Sequence, residues 1–316
     1  MRWRGLRLET RGGRWSIVVA ASFFLIRDEG GGELGWRSFR GGREAGLLAE
    51  VERDKEEGPR HGKKICRRGK DTGKQEMGLI KGAVSDAILT FLFVSIMPFL
   101  GVLSSIVAGY VGVESKSISG LFITVNVAAL FMLSFSLIGA AMGGASFNPS
   151  TTVSLYTAGL KPDASLLSMA VSFPAQAAGG VAGAKTILQV MPKQYRHVLR
   201  GPSLKVDLHT GAIAEGALTF VLCFNLLFIL LKGPKNLLVK IWLLAVGTLC
   251  LVITGGKYTG PSMNPANAYG WAFVNNWHNT WELFYVYWIG PFIGATLAAL
   301  VFGFLFKKPP VKEKKA

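Results

Sequence analysis

The stretch Gly143-Gly144-Ala145-Ser146-Phe147-Asn148-Pro149-Ser150 and its counterpart Tyr258-Thr259-Gly260-Pro261-Ser262-Met263-Asn264-Pro265-Ala266 decide how the rest of the chain is read. Asn followed by Pro, after a loop of small residues, is a helix start. The Asn side chain accepts from free backbone N–H groups, and Pro fits the first helical turn, where no intrahelical donor is needed. Each tripeptide lies between long apolar runs, one in each half of the hydrophobic region. Two such starts at equivalent places predict half-helices that meet at the bilayer midplane with their positive dipole ends facing. Asn148, Pro149, Ser150, Asn264, Pro265 and Ala266 are thus the predicted midplane of a pore. Its dipoles repel cations, and its amides offer hydrogen bonds to a neutral molecule in transit.

The flanking sequence is that of a membrane protein. The 316 residues are 50% hydrophobic and 17% charged, well below the roughly 25% charge of a soluble domain. Of 19 acidic residues, 12 precede Met77. Beyond Met77, six stretches have the length of a membrane span: approximately Leu79–Leu100, Leu121–Ala141, Leu166–Val190, His209–Leu231, Leu238–Thr254 and Phe284–Phe306. A span needs about 20 apolar helical residues. Six near-uncharged stretches of this length argue against a soluble protein with buried helices.

An even number of spans puts both termini on one side. Lys63, Lys64, Arg67, Arg68, Lys70 and Lys74 precede the first span, Lys232, Lys235 and Lys240 lie between the fourth and fifth, and Lys307 and Lys308 follow the sixth. All fall on the same side, which the positive-inside rule assigns to the cytosol. Lys193, Arg196, Arg200 and Lys205 disagree, since their loop faces the other compartment. The net charge of +16 reads as basic cytosolic loops near anionic headgroups rather than as a nucleic-acid surface. The three cysteines, Cys66, Cys223 and Cys250, form no disulfide framework.

The two halves superimpose on their Asn-Pro motifs. Asp86 lies in the first span, ahead of Asn148, and Glu215 in the fourth, ahead of Asn264. After each motif comes a span with glycines at close-packing spacing, Gly179/Gly183 and Gly290/Gly294. Three spans per half is an odd number, so the second half is inverted in the membrane. The expected fold is an all-α membrane protein: six transmembrane helices plus two re-entrant half-helices in an inverted repeat.

Asp86 and Glu215 are the acids within the spans, and a carboxylate in lipid needs a partner. They read either as proton carriers or as acceptors for loop N–H groups that have no water at membrane depth. The second role is the expected one. Re-entrant loops supply such donors, and Lys81 and Lys185 sit near span ends, where they complete no relay.

Residues 1–76 follow a different pattern, rich in Gly, Arg and Glu. Ser16–Ile26 is about half a span long, and Arg27-Asp28-Glu29 follow it with no small-residue cleavage pair. The segment reads as a disordered extension. Met77 reads as a natural start, so the extension is either a cytosolic tail or the product of an alternative start or gene-model error. The channel domain is expected over 77–308, with repeats about 77–190 and 205–308, and a basic tail over 309–316.

With these residues laid out, Met77–Phe306 resembles the aquaporins, or major intrinsic proteins. The match covers Asp86, Ser146-Phe147-Asn148-Pro149-Ser150, Gln176, Glu215 and Tyr258 through Ala266. Within the family the chain looks most like the plant small basic intrinsic proteins. The features are the altered third residue Ser150, the run Asn264-Pro265-Ala266-Asn267-Ala268-Tyr269-Gly270-Trp271, and the lysine-rich tail. The resemblance implies a pore in each subunit, a homotetramer, and loop support from Asp86, Glu215 and Gln176. It also implies a selectivity constriction at about Ala128, Val252, Pro261 and Asn267. The family usually carries Arg where this chain has Asn267, so the lining here has no fixed charge.

The expected function is a passive channel for water or another small neutral solute in the lipid bilayer. A secondary transporter would share the inverted repeat but would want titratable groups at the midplane. A poorly conducting scaffold is the other alternative, left open by the altered constriction. The histidines His61, His197, His209 and His278 are scattered, so neither an enzyme site, a metal site nor a cofactor is expected. The end Lys312-Glu313-Lys314-Lys315-Ala316 resembles a dilysine retrieval signal, a receptor-read address. It predicts residence in the endoplasmic reticulum membrane, with the plasma membrane second.

Overall fold

The computed structural model describes residues 61–161 and 164–306, with side chains described from Glu76 onward. Its principal helices are α1 (His61–Val111), α2 (Ile118–Ala141), α3 (Pro149–Thr157), α4 (Leu166–Val190), α5 (Leu208–Leu231), α6 (Leu237–Gly255), α7 (Pro265–Val274) and α8 (Trp281–Leu305). A π turn at Tyr285–Ile289 interrupts α8. Six segments are long and apolar enough to cross a membrane: Glu76–Val111 within α1, and α2, α4, α5, α6 and α8. No strand occurs among the described residues.

The expected spans match these helices, with one difference at α1. It continues past Leu100 to Val111 and contains Pro98. The residues from Gly101 to Val111 carry no charge, so no charged group ends the helix there, and a proline is tolerated in a membrane helix whose freed backbone groups find other partners. At its other end α1 reaches back to His61, so 61–76 continues the first helix. The rest of the expected extension, 1–60, and the tail 309–316 lie outside the described residues.

The helix starts follow local chemistry. Ser117 accepts from the Gly120 N–H at 3.1 Å, Ser165 and Ser168 form a reciprocal capping box, and Asn236 accepts from Leu238 and Val239. Asp207 caps α5 through His209 and Thr210. Hydrogen bonds from Thr210 hold its exposed carboxyl below the usual aspartate value. Such caps satisfy donors that a helix start otherwise leaves free.

Packing repeats between the halves. α1 packs on α4 as α5 packs on α8, and α1 lies against α2 as α5 lies against α6. Each short helix is claimed by the opposite half: α3 by α8, and α7 by α4. The α2–α6 contact joins the halves. Glycine permits the two tightest seams. A Cβ on Gly183 of α4 would stand 2.7 Å from the Phe91 carbonyl oxygen of α1, and one on Gly290 of α8 would stand 2.8 Å from that of Ala212 on α5. Side chains there would force the helix pairs apart.

Candidate functional site

Both Asn-Pro motifs start helices. Asn148 has extended backbone angles, and its Oδ1 accepts from the Ser150 N–H at 2.9 Å. Asn264 has the same conformation, and its Oδ1 accepts from Ala266 at 3.1 Å and Asn267 at 3.3 Å. The amide nitrogens reach the opposite loop. Asn148 Nδ2 donates to the Met263 carbonyl and Asn264 Nδ2 to the Phe147 carbonyl, each at 3.0 Å. The two helix starts therefore meet inside the bundle, where Asn148 is 7% exposed and Asn264 is 3% exposed. Ser150 and Ala266 are fully buried behind them.

The two intramembrane acids sit beneath these loops. Asp86 Oδ1 accepts from the Ser146 N–H at 2.7 Å, and its Oδ2 accepts from Gln176 Nε2 at 3.0 Å. Glu215 Oε1 accepts from the N–H groups of Ser262 (2.8 Å) and Met263, while Oε2 accepts from the Thr259 hydroxyl at 2.7 Å. The carboxylates thus absorb donors of backbone that is neither helix nor strand. At membrane depth an unpaired N–H costs several kcal/mol. Met263 has a positive φ of 50°, unusual for a residue with a side chain. Glu215 holds its N–H and Asn148 its carbonyl, which pins that conformation from both sides.

Hydroxyls complete the frame. Ser146 Oγ lies 2.8 Å from Thr152 Oγ1, and Ser262 Oγ donates to the Asn264 carbonyl at 2.8 Å. The Tyr287 hydroxyl, within the π turn of α8, donates to the Thr259 carbonyl at 2.9 Å. Sequence reading missed Tyr287. Its signal was a phenol at a fully buried position in an apolar span, which needs an acceptor.

The four expected constriction residues have different surroundings. Ala128 is buried with Val125 and Ala245 in the seam between α2 and α6. Val252 is 43% exposed on α6. Pro261 is half-buried against Gly255, whose Cβ would stand 2.7 Å from the proline Cγ. Asn267 is half-buried, and its Nδ2 donates to Ser262 Oγ at 3.0 Å. Among the described residues, no group of three or more His, Cys, Asp or Glu side chains is placed to hold a metal ion.

Residues 74–302 match the Major intrinsic protein family. The chain belongs to that family of membrane channels for water and small solutes, as an integral multi-pass protein on the branch of the plant small basic intrinsic proteins. It is 52% identical over 237 residues to Aquaporin SIP1-1 of Oryza sativa subsp. japonica, spanning 74% of this chain and 96% of that one. It is 42% identical over 239 residues to Aquaporin SIP1-1 of Arabidopsis thaliana, spanning 76% and 98%. Among solved structures, the aquaglyceroporin from Plasmodium falciparum aligns with a TM-score of 0.52 at 18% identity, covering 71% of this chain and 95% of that one. At that identity the likeness speaks to fold alone.

Proposed function

We propose that the chain conducts water and small neutral solutes passively, through a pore in each subunit that runs between the starts of α3 and α7. The observation that carries this reading is the reciprocal tie of Asn148 to Met263 and Asn264 to Phe147. An amide nitrogen has two hydrogens. One on each Asn is committed to a carbonyl, which fixes the direction of the other, the one offered to a permeant oxygen. The facing positive ends of α3 and α7 oppose cations at the same level. Asp86 and Glu215 serve as loop acceptors in this reading, because their oxygens are already engaged by fixed donors. Ala128, Val252, Pro261 and Asn267 form the uncharged constriction.

The proposal extends to a homotetramer in the bilayer, with both termini cytosolic and residence in the endoplasmic reticulum. Topology rests on the basic residues around Lys232, Lys235 and Lys240, and location on the spacing of Lys312 and Lys314. Stopped-flow swelling of proteoliposomes holding the purified protein tests the channel. Water permeability above that of empty vesicles, without a coupled ion gradient, is the expected result. Flux that demands an ion gradient would replace the channel with a transporter. Changing Lys312 and Lys314 to Ser should release protein towards the plasma membrane, and wholly unchanged retention would reject the address.

A further inference from the structure

The connection between α4 and α5 carries Lys193, Arg196, Arg200 and Lys205 on the side where the positive-inside rule expects few cations. Arg196 and Arg200 donate to carbonyls near themselves in the chain, Met191 at 3.3 Å and His197 at 3.2 Å, whereas Lys205 reaches the segment after α6. The Ser203 N–H donates to the Thr259 carbonyl at 2.9 Å and the Lys205 N–H to the Tyr258 carbonyl at 2.8 Å. These bonds lay the connection along the segment that leads down to Asn264. Lys205 Nζ then donates to the Gly256 carbonyl at 2.6 Å. Gly256 is the C-cap of α6, and the preceding Gly255 packs on Pro261.

Depth follows from the helix beside it. Lys205 lies three residues before α5 begins at Leu208, whereas Glu215, which anchors Ser262 and Met263, lies seven residues into that helix. Seven residues advance a helix by about 10 Å. Lys205 therefore stands at the rim, where the re-entrant segment starts its descent. The last carbonyls of α6 are the negative end of a helix dipole and a natural resting place for a cation. Here an ammonium already occupies it. The neighbouring Asp207 carboxylate caps α5 through His209 and Thr210 and stays ionised, so it offsets part of the Lys205 charge.

We propose that Lys205 supplies a fixed positive charge that helps exclude cations at this mouth, a charge that Asn267 does not provide. The inference rests on the pore reading above. A merely structural Lys205 would cap α6 and do nothing to permeation. Lys205→Gln separates the roles, since it keeps a donor for the Gly256 carbonyl and removes the charge. Proteoliposomes are assayed for water flux by swelling and for sodium leak with an entrapped indicator. Lys205→Gln should raise the sodium-to-water permeability ratio roughly tenfold at low ionic strength, the scale of one partly screened unit charge. Lys205→Arg should restore the ratio. In the unmodified protein, impermeant N-methylglucamine chloride should raise sodium leak by screening the exposed ammonium. A wild-type ratio in Lys205→Gln, failure of Lys205→Arg to restore it, or sodium leak in the unmodified protein that ignores ionic strength would each overturn the proposal. If the unmodified protein gives no water flux above empty vesicles, the pore reading itself fails and this inference falls with it.

Discussion

Asn148 and Asn264 each hold the loop that carries the other. The Asn148 amide donates to the carbonyl of Met263, one residue before Asn264, and the Asn264 amide donates to the carbonyl of Phe147, one residue before Asn148. Each Asn also caps its own helix through Oδ1. One side chain thus performs a local and a long-range task at once, and displacing either helix start disturbs the other.

Asn264→Asp tests this double use. Asp caps as well as Asn, so α7 should still form, but a carboxylate cannot donate to the Phe147 carbonyl and brings a charge to the midplane. Water flux should fall tenfold or more by the arithmetic of a barrier raised by about 1.4 kcal/mol. Unchanged flux in correctly assembled protein would remove Asn264 from the pore.

Glu215→Gln distinguishes loop support from proton carriage. The amide nitrogen of Gln cannot accept, so at least one donor among Thr259, Ser262 and Met263 loses its partner. Leaving a buried donor unpaired costs about 1–3 kcal/mol, which should lower the unfolding temperature in detergent. Full stability with selective loss of a pH-driven flux would favour a transporter.

Asn267→Arg probes selectivity. The longer side chain would replace an amide now bound to Ser262 Oγ, narrow the constriction and add positive charge. Swelling assays should show larger neutral solutes slowed more than water. Equal slowing of every solute would argue that position 267 does not line the path.

Gly183→Val addresses the α1–α4 seam. Its Cβ would press on the Phe91 carbonyl at 2.7 Å, and overpacking of this kind costs about 1–3 kcal/mol. A lower melting temperature is expected, with Ile118→Val on an exposed surface of α2 as the control. Equal melting temperatures would mean that α4 can shift without cost.

Legibility followed distance along the chain. The Asn-Pro helix starts depend on contacts two or three residues away, so Asn148 and Asn264 could be read as caps directly. The spans were legible from uninterrupted apolar length, and the role of Gly183 and Gly290 from spacing. Asp86 and Glu215 could be identified as acceptors because lipid offers a carboxylate no other solvent. The first span runs past its approximate expected end at Leu100 to Val111 with Pro98 inside it, because a membrane helix tolerates proline where the freed backbone groups find other partners.

The amino-acid order by itself determined the membrane class, the duplicated plan and the two helix starts, because apolar length and local capping are properties of short segments. Only the tertiary structure decided which carbonyls the two Asn amides reach, that Glu215 gathers donors from Thr259, Ser262 and Met263, and that Lys205 meets Gly256. Those contacts join residues tens to more than a hundred positions apart. They exist because packing of α4 on α7 and α3 on α8 brings the loops together inside a bundle where backbone polar groups must find partners.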